Sequence, residues 1–251
     1  GVAGSGPGGR ILKDDLAAPA APVVARAQPT AADAITEIKV IGVRRVIAER
    51  MSEAKRTIPH FAYVEEVDVT ELESLRQHLN AKSGAGAGLT YLPFIITAMA
   101  RVLEQFPQCN AVYDAARNTL LRHRAMHVGI ATQTPDGLKV PVLRNAQELD
   151  LWQLGAEIRR LSERARNNQA TRQELSGSTI TLTSLGKLGG IASTPVINAP
   201  EVAIIGLNKA VERPVVDRGA IVVRRIMNLS SSFDHRFVDG HDAAAMIQSL
   251  K

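Results

Sequence analysis

The chain carries a single cysteine, Cys109, in 251 residues, so no disulfide can close within it and a disulfide scaffold is excluded. Aromatic side chains make up only 4%. No basic cluster is interleaved with rings that could stack bases, which argues against nucleic acid as a partner. No apolar stretch is long enough to span a bilayer, so no membrane partner is expected. The opening residues place glycine and charge where a secretory signal needs an apolar run of ~7–15 residues. The patterns GxSxG, GxxxxGK[ST], CxxC and HExxH are absent, which removes the hydrolase, NTPase, thiol-redox and zincin readings attached to them. His235, Asp239 and His241 lie close together, but no second cluster supplies further ligands, and no metal is expected. A reducing compartment, cytosol or an equivalent space, is expected from the cysteine usage.

What is present is globular in composition, with 45% hydrophobic and 22% charged residues. The formal net charge of +5 is unevenly spread: residues 1–38 carry −1 and residues 39–251 carry +6. That excess suits an anionic ligand, and it equally suits arginines scattered on solvated helix faces. Residues 17–35 hold nine Ala and three Pro with no hydrophobic period, the composition of an extended linker, which we place at 17–38. Before it, Gly4-Ser5-Gly6-Pro7-Gly8-Gly9 matches GxGxxG only formally. No strand precedes it, and it reads better as a glycine-rich loop entering a short helix at 11–16.

Beyond the linker, residues 43–57 put Val43, Ile47, Met51 and Ala54 on one stripe of an amphipathic helix that Pro59 ends. A strand is predicted over 61–69, and Thr70-Glu71-Leu72-Glu73 reads as a capping box opening a helix to about Lys82. A glycine-alanine loop at 83–88 precedes a buried helix over 90–106. Strands at 127–133 and 138–143 are joined by the turn Thr134-Pro135-Asp136-Gly137. A helix over 150–167 and a short capped one from Thr171 follow. The last third reads as strands at 179–183, 202–207, 215–216, 220–223 and 226–233, then a helix from Gly240. Helices and strands mix without strict alternation, so the class is α/β or α+β with a mixed sheet.

The most informative segment is Ser230-Ser231-Ser232-Phe233-Asp234-His235-Arg236-Phe237-Val238-Asp239-Gly240. A strand of small hydroxyl residues ends at a histidine, with an aspartate four residues on and then a helix. A histidine at such a corner can project into a cleft as a general base, or it can serve structure by bonding neighbouring backbone.

Residues 234–240 resemble the DHRxxDG signature of the acyltransferase core subunits of 2-oxo acid dehydrogenase complexes. Residues 42–51 (GVRRVIAERM), 129–142 (GIATQTPDGLKVPV) and 182–206 (LTSLGKLGGIASTPVINAPEVAIIG) resemble that family in the same order. The resemblance covers about residues 39–251, the expected acyltransferase catalytic domain. Residues 1–16 resemble the second half of the small peripheral subunit-binding domain that precedes this core. The resemblance implies a chloramphenicol-acetyltransferase-like fold, a mixed sheet flanked by helices, assembled as a homotrimer within a larger cubic or icosahedral shell. It implies acyl transfer between dihydrolipoamide and coenzyme A, with coenzyme A as a substrate and the lipoyl group carried on a domain absent from this chain. It also implies the decarboxylase and the dihydrolipoamide dehydrogenase of the complex as partners, and a chain continuing past Lys251.

Such a reaction needs a base to make a thiolate and a donor to hold an oxyanion. His235 is the expected base: a thiol near 8.5 facing an imidazole near 6.5 leaves a gap of about 2 pKa units, roughly 2.7 kcal/mol, without any acyl-enzyme. The family's oxyanion serine aligns, on Leu185-Gly186 and Gly189-Gly190, with Thr183, and Ser184 stands beside it. Asp239 is expected to order the corner through an ion pair with Arg45, or with Arg44; for both arginines a solvated helix face is the alternative. The family shares each site between two subunits, His235 from one and the Thr183 segment from the other. The residues coenzyme A would touch are not assignable from the sequence. Residues 58–72 resemble the branched-chain members more than the acetyl- or succinyl-transferring ones, so a branched acyl group of the isobutyryl type is expected. An acetyltransferase of the pyruvate dehydrogenase type, another HxxxDG acyltransferase and a non-catalytic scaffold are the alternatives.

Overall fold

A computed structural model describes residues 2–16, 35–83 and 88–251. Residues 17–34 of the expected linker and 84–87 of the glycine-alanine loop lie outside the described residues. Two units separate, residues 1–39 and 40–251. In the first, the Asp15 carboxylate accepts hydrogen bonds from the backbone N–H of Ser5 and Leu12 at 2.9 and 2.8 Å, closing the glycine-rich loop onto a 3-10 turn at Lys13–Leu16.

The second unit runs α1 (Gly42–Thr57), β1 (His60–Asp68), α2 (Thr70–Lys82), α3 (Tyr91–Gln105), β2 (Ala111–Asp114), β3 (Thr119–Arg122), β4 (Val128–Ile130), β5 (Thr132–Thr134), β6 (Gly137–Lys139) and β7 (Val142–Leu143). It continues with α4 (Leu151–Arg166), β8 (Ile180–Ser184), β9 (Ala203–Leu207), β10 (Val211–Asp217), β11 (Ala220–Asp234) and α5 (Gly240–Leu250). Seven strands form one sheet in the order β1-β11-β9-β8-β4-β7, with β10 also paired to β11. The β4–β8 and β8–β9 pairs are parallel and the others antiparallel, so the sheet is mixed, as expected. Helix α3, apolar on most of its faces, packs against α4 and α5. Its Ile96 and Met99 join Leu154, Leu161, Met246 and Ile247 from those helices over Ile180, Leu182, Ile205 and Phe233 of the sheet, in one buried core. Burying each such side chain stabilises the fold by about 1.5–3 kcal/mol. Among the described residues no helix is long and apolar enough to cross a membrane.

Several local expectations are overridden. The strands foreseen at 127–133 and 138–143 each break in two. Ala131 donates its N–H to Leu182 O, and Pro141, which has no N–H to give, interrupts the return strand, so β5 and β6 leave the main sheet as a separate hairpin. Gly129 lies between β7 and β8, where a Cβ would stand 2.6 Å from Thr181 Oγ1 and 2.7 Å from Val140 Cγ1. The strands foreseen at 220–223 and 226–233 are one, because Arg224 pairs with Asp217 and Arg225 with Glu212 across the β10–β11 hairpin. No helix forms after Thr171, although the Thr171–Glu174 capping bonds do.

The capping box at 70–73 is also replaced. The Thr70 hydroxyl bonds Asp68 and Arg225 N–H, and Glu73 turns away to Arg76, Gln77 and Tyr91 Oη at 2.7–2.9 Å, tying α2 to the start of α3. The Arg76 hydrogen bonds foremost hold the Glu73 carboxyl at about 2, below its ordinary 4.5. Its contribution to stability is therefore complete above about pH 5 and fades as the pH falls toward 2. Glu73→Gln is expected to lower the unfolding free energy by about 2 kcal/mol at pH 7 and by less than half of that at pH 3. Urea unfolding at the two pH values checks this, and an equal deficit at both contradicts it.

Candidate active site

The end of β11 is built to present His235. Ser230, Ser231, Ser232, Phe233 and Asp234 are all buried in the middle of the sheet. The chain then turns sharply: Phe237 and Val238 both donate to Asp234 O, at 3.0 and 3.1 Å, and buried Val238 pins the turn from below. Ala243 N–H bonds Asp239 O at 3.0 Å to start α5. With both flanks of the turn anchored, His235 and Asp239 are left exposed on its outer side.

Around His235 the neighbours are specific. Its N–H bonds Pro59 O at 3.1 Å, and its ring lies 4.4 Å from that of Phe61, tilted 44°. Phe61 in turn meets Phe233 at 5.6 Å. The two charges that flank His235 neutralise each other. Arg236 Nη2 and Nε donate to Asp234 at 2.6 and 2.9 Å, which pushes the guanidinium pKa up, and the same guanidinium lies 4.7 Å from the Tyr113 ring centre. Among the described residues no carboxylate pairs with His235, since the adjacent Asp234 is taken by Arg236. Cys109, by contrast, is buried, and burial pushes its thiol up to about 12, so it is not an available nucleophile.

Thr183 and Ser184 end β8. Ser184 Oγ accepts the Gly186 N–H at 3.2 Å and so belongs to the turn that follows. The Thr183 hydroxyl has no partner among the described residues, which makes it the freer donor. Its Cγ2 lies against Gly206, where a Cβ would come within 3.4 Å of that methyl and 2.9 Å of Ser230 O. A glycine there is what lets β8, β9 and β11 approach closely.

Register separates the two candidate groups. Thr183 pairs with Gly206, and Gly206 with Ser230, so Thr183 lies level with Ser230, five positions before His235. In one copy they are about 17 Å apart along the strands and about 10 Å across them. The expected ion pair of Asp239 with Arg45 or Arg44 does not form within the chain. Arg45 instead reaches Glu49 at 3.6 Å along its own helix, both side chains well exposed, and Asp239 has no ionic partner among the described residues. The expected stripe of α1 buries only Ala54. Sequence reasoning missed Phe61 and the Asp234–Arg236 pair; the adjacent opposite charges in Asp-His-Arg were the available signal for the latter.

Known proteins resemble this chain in sequence and in fold. Residues 32–251 match the family described as 2-oxoacid dehydrogenases acyltransferase (catalytic domain). The chain is 58% identical to the lipoamide acyltransferase component of the branched-chain alpha-keto acid dehydrogenase complex of Pseudomonas putida, over all of this chain and 60% of that protein. It thus spans about 60% of the length of that curated relative. Among solved structures, a dihydrolipoamide acetyltransferase of Azotobacter vinelandii superposes with a TM-score of 0.83 at 36% identity, covering 89% of this chain and 93% of that one. That structure was studied for the roles of a serine, a histidine and an asparagine in its catalytic mechanism, and the three are spaced as Thr183, His235 and Asp239 are here. The cubic core of a pyruvate dehydrogenase multienzyme complex also superposes at 0.83, with 37% identity and the same coverage of 89% and 93%. A chloramphenicol acetyltransferase, 16% identical with a TM-score of 0.50 over 80% of this chain and 92% of that one, shares the fold. The chain belongs to the 2-oxoacid dehydrogenase acyltransferase family, through its catalytic domain.

Proposed function

We propose that this chain transfers a branched-chain acyl group between dihydrolipoamide and coenzyme A, in an active site shared by two copies of itself within a homotrimer. The observation that carries the reading is the His235 corner: an exposed imidazole held on a rigid strand-to-helix turn, with the flanking charges Asp234 and Arg236 spent on each other. The branched-chain preference is supported by the 58% identity to a component named for that complex.

In this mechanism His235 takes the proton of the attacking thiol. The thiolate adds to the thioester carbonyl, forming one C–S bond, and the oxyanion accepts the Thr183 hydroxyl of a second copy. Collapse breaks the other C–S bond, and the imidazolium returns its proton to the departing thiolate. The separation of Thr183 from His235 within one copy supports a shared site. Asp239 acts on the geometry of the corner rather than on the proton. Coenzyme A is a substrate here, and the lipoyl group arrives on a separate domain. The wider assembly would resemble the cubic core described for a similar structure, with the decarboxylase and dihydrolipoamide dehydrogenase as partners, in a bacterial-type cytoplasm.

Two sets of measurements test this. His235→Ala is expected to lower kcat about 100- to 10,000-fold, and Thr183→Val about 100- to 1,000-fold, while Ser184→Ala stays within a few-fold of wild type. Near-normal turnover in Thr183→Val, with loss in Ser184→Ala, would reassign the oxyanion donor. With isobutyryl-, acetyl- and succinyl-coenzyme A as acyl donors to dihydrolipoamide, kcat/KM should be highest for isobutyryl, and a clear preference for acetyl contradicts the branched-chain assignment.

A further inference from the structure

Next to Val202, whose carbonyl bonds Asp234 N–H, lies a buried carboxyl that the proposed mechanism does not use. Glu201 is 1% exposed, at the mouth of β9. Its Oε1 accepts from Asn198 Nδ2 at 2.7 Å and from Ser178 Oγ, whereas its Oε2 is buried with no hydrogen-bond partner. The groups that act on it are uncharged: Ser178 and Thr181 from β8 and the residues leading into it, and Asn198 from the segment before β9. From β2, Val112 meets it through a backbone bridge. Of the titratable groups on the surrounding elements, His60 bonds Ile58 O and Ile197 N–H, Tyr113 Oη bonds Asn118, Asp114 bonds Arg117 and Asp234 bonds Arg236, while His123, just after β3, has a buried Nε2 with no hydrogen-bond partner among the described residues. A bare carboxylate oxygen without a donor or a cation is costly to bury, whereas a protonated one is far less so.

The segment that carries Glu201 is tied around the corner. Ile197 N–H bonds His60 Nε2 at 3.0 Å, and His60 pairs with Asp234 in the sheet. Pro200 O holds Tyr113 N–H at 2.8 Å, and Tyr113 lies under Arg236. Val202 O holds Asp234 N–H at 2.9 Å, one residue before His235. Residues 197–202 therefore form a strap that bonds Asp234 directly through Val202 and reaches Arg236 only through Tyr113, and the polar anchor inside it is Glu201.

We propose that Glu201 is a positioning residue for His235, a neutral buried carboxylic acid whose ionisation loosens the strap and with it the corner. The kinetic part rests on the acyltransferase reading; the protonation part does not. Burial pushes the Glu201 carboxyl up to about 7, from an ordinary 4.5. Because the folded value lies above the unfolded one, the associated stability is complete below about pH 4.5 and is lost as the pH rises through about 7.

The test compares wild type, Glu201→Gln and Glu201→Ala by thermal unfolding and by acyl transfer from pH 5 to pH 8.5. Glu201→Gln keeps the shape and the Oε1 acceptor without the titration. Its Tm should match wild type near pH 5 and exceed it by about 5 °C at pH 8. Its kcat should hold level above pH 7 where that of wild type declines, and Glu201→Ala should lose kcat at least about tenfold across the range with little change in either KM. A Glu201→Gln protein less stable than wild type at pH 8 overturns the neutral-acid assignment. A Glu201→Gln protein with the predicted Tm behaviour but an unchanged alkaline kcat profile overturns the link to His235. The predicted Tm behaviour in a wild-type chain that transfers no acyl group would sink the transferase reading and leave the protonation of Glu201 standing.

Discussion

The pairing of β11 is the constraint on which the rest of the structure depends. Its fifteen residues bond β1 along one edge and β10 and then β9 along the other. Side chains on a strand alternate between faces, so a slip of one residue would exchange the buried and outward sets along its whole length. The run of Ser230, Ser231 and Ser232 is small enough to let neighbouring strands close in, and Phe233 then fills the core beneath the corner. The last bonded pair, His60 with Asp234, is what brings His235 out of the sheet against Phe61.

The same register keeps Thr183 at the far end of the sheet. A single copy therefore holds the proposed base, His235, at one end and the proposed oxyanion donor, Thr183, at the other. A single copy also leaves Ile41, Val43 and Val46 of the α1 region and Leu185, Leu188 and Ile191 after β8 exposed. In the proposed trimer a second copy would cover apolar surface of this kind while completing the site. The turn is held by the Asp234–Arg236 pair and the His60 bridge between Ile58 O and Ile197 N–H, without placing a carboxylate on the imidazole.

Much of this was legible in the sequence because its causes are local. The α3 run, the amphipathic α4 and the strand-to-helix corner after Phe233 each carry their signal within a few residues. The failures are nonlocal. Thr70-Glu71-Leu72-Glu73 has the right residues for a capping box, but Glu73 finds a cation and a tyrosine hydroxyl from two helices instead. Arg224 and Arg225 look like a break in a strand until their partners Asp217 and Glu212 appear across the hairpin. The stacking of Phe61 on His235 and the distance from Thr183 to His235 both follow from strand register, which no single segment encodes. Arg45 shows a local contact prevailing over an expected distant one, since Glu49 lies one helical turn away.

The claim that the site is shared between copies is tested most directly by complementation. His235→Ala and Thr183→Val chains, each nearly inactive alone, are unfolded together in equal amounts, refolded and assayed for acyl transfer. If the base and the oxyanion donor come from different copies, random assembly unites an intact His235 with an intact Thr183 at about a quarter of the sites, and about a quarter of wild-type activity returns. If both groups act within one copy, the mixture shows only the sum of the two residual activities, and the shared-site account is wrong.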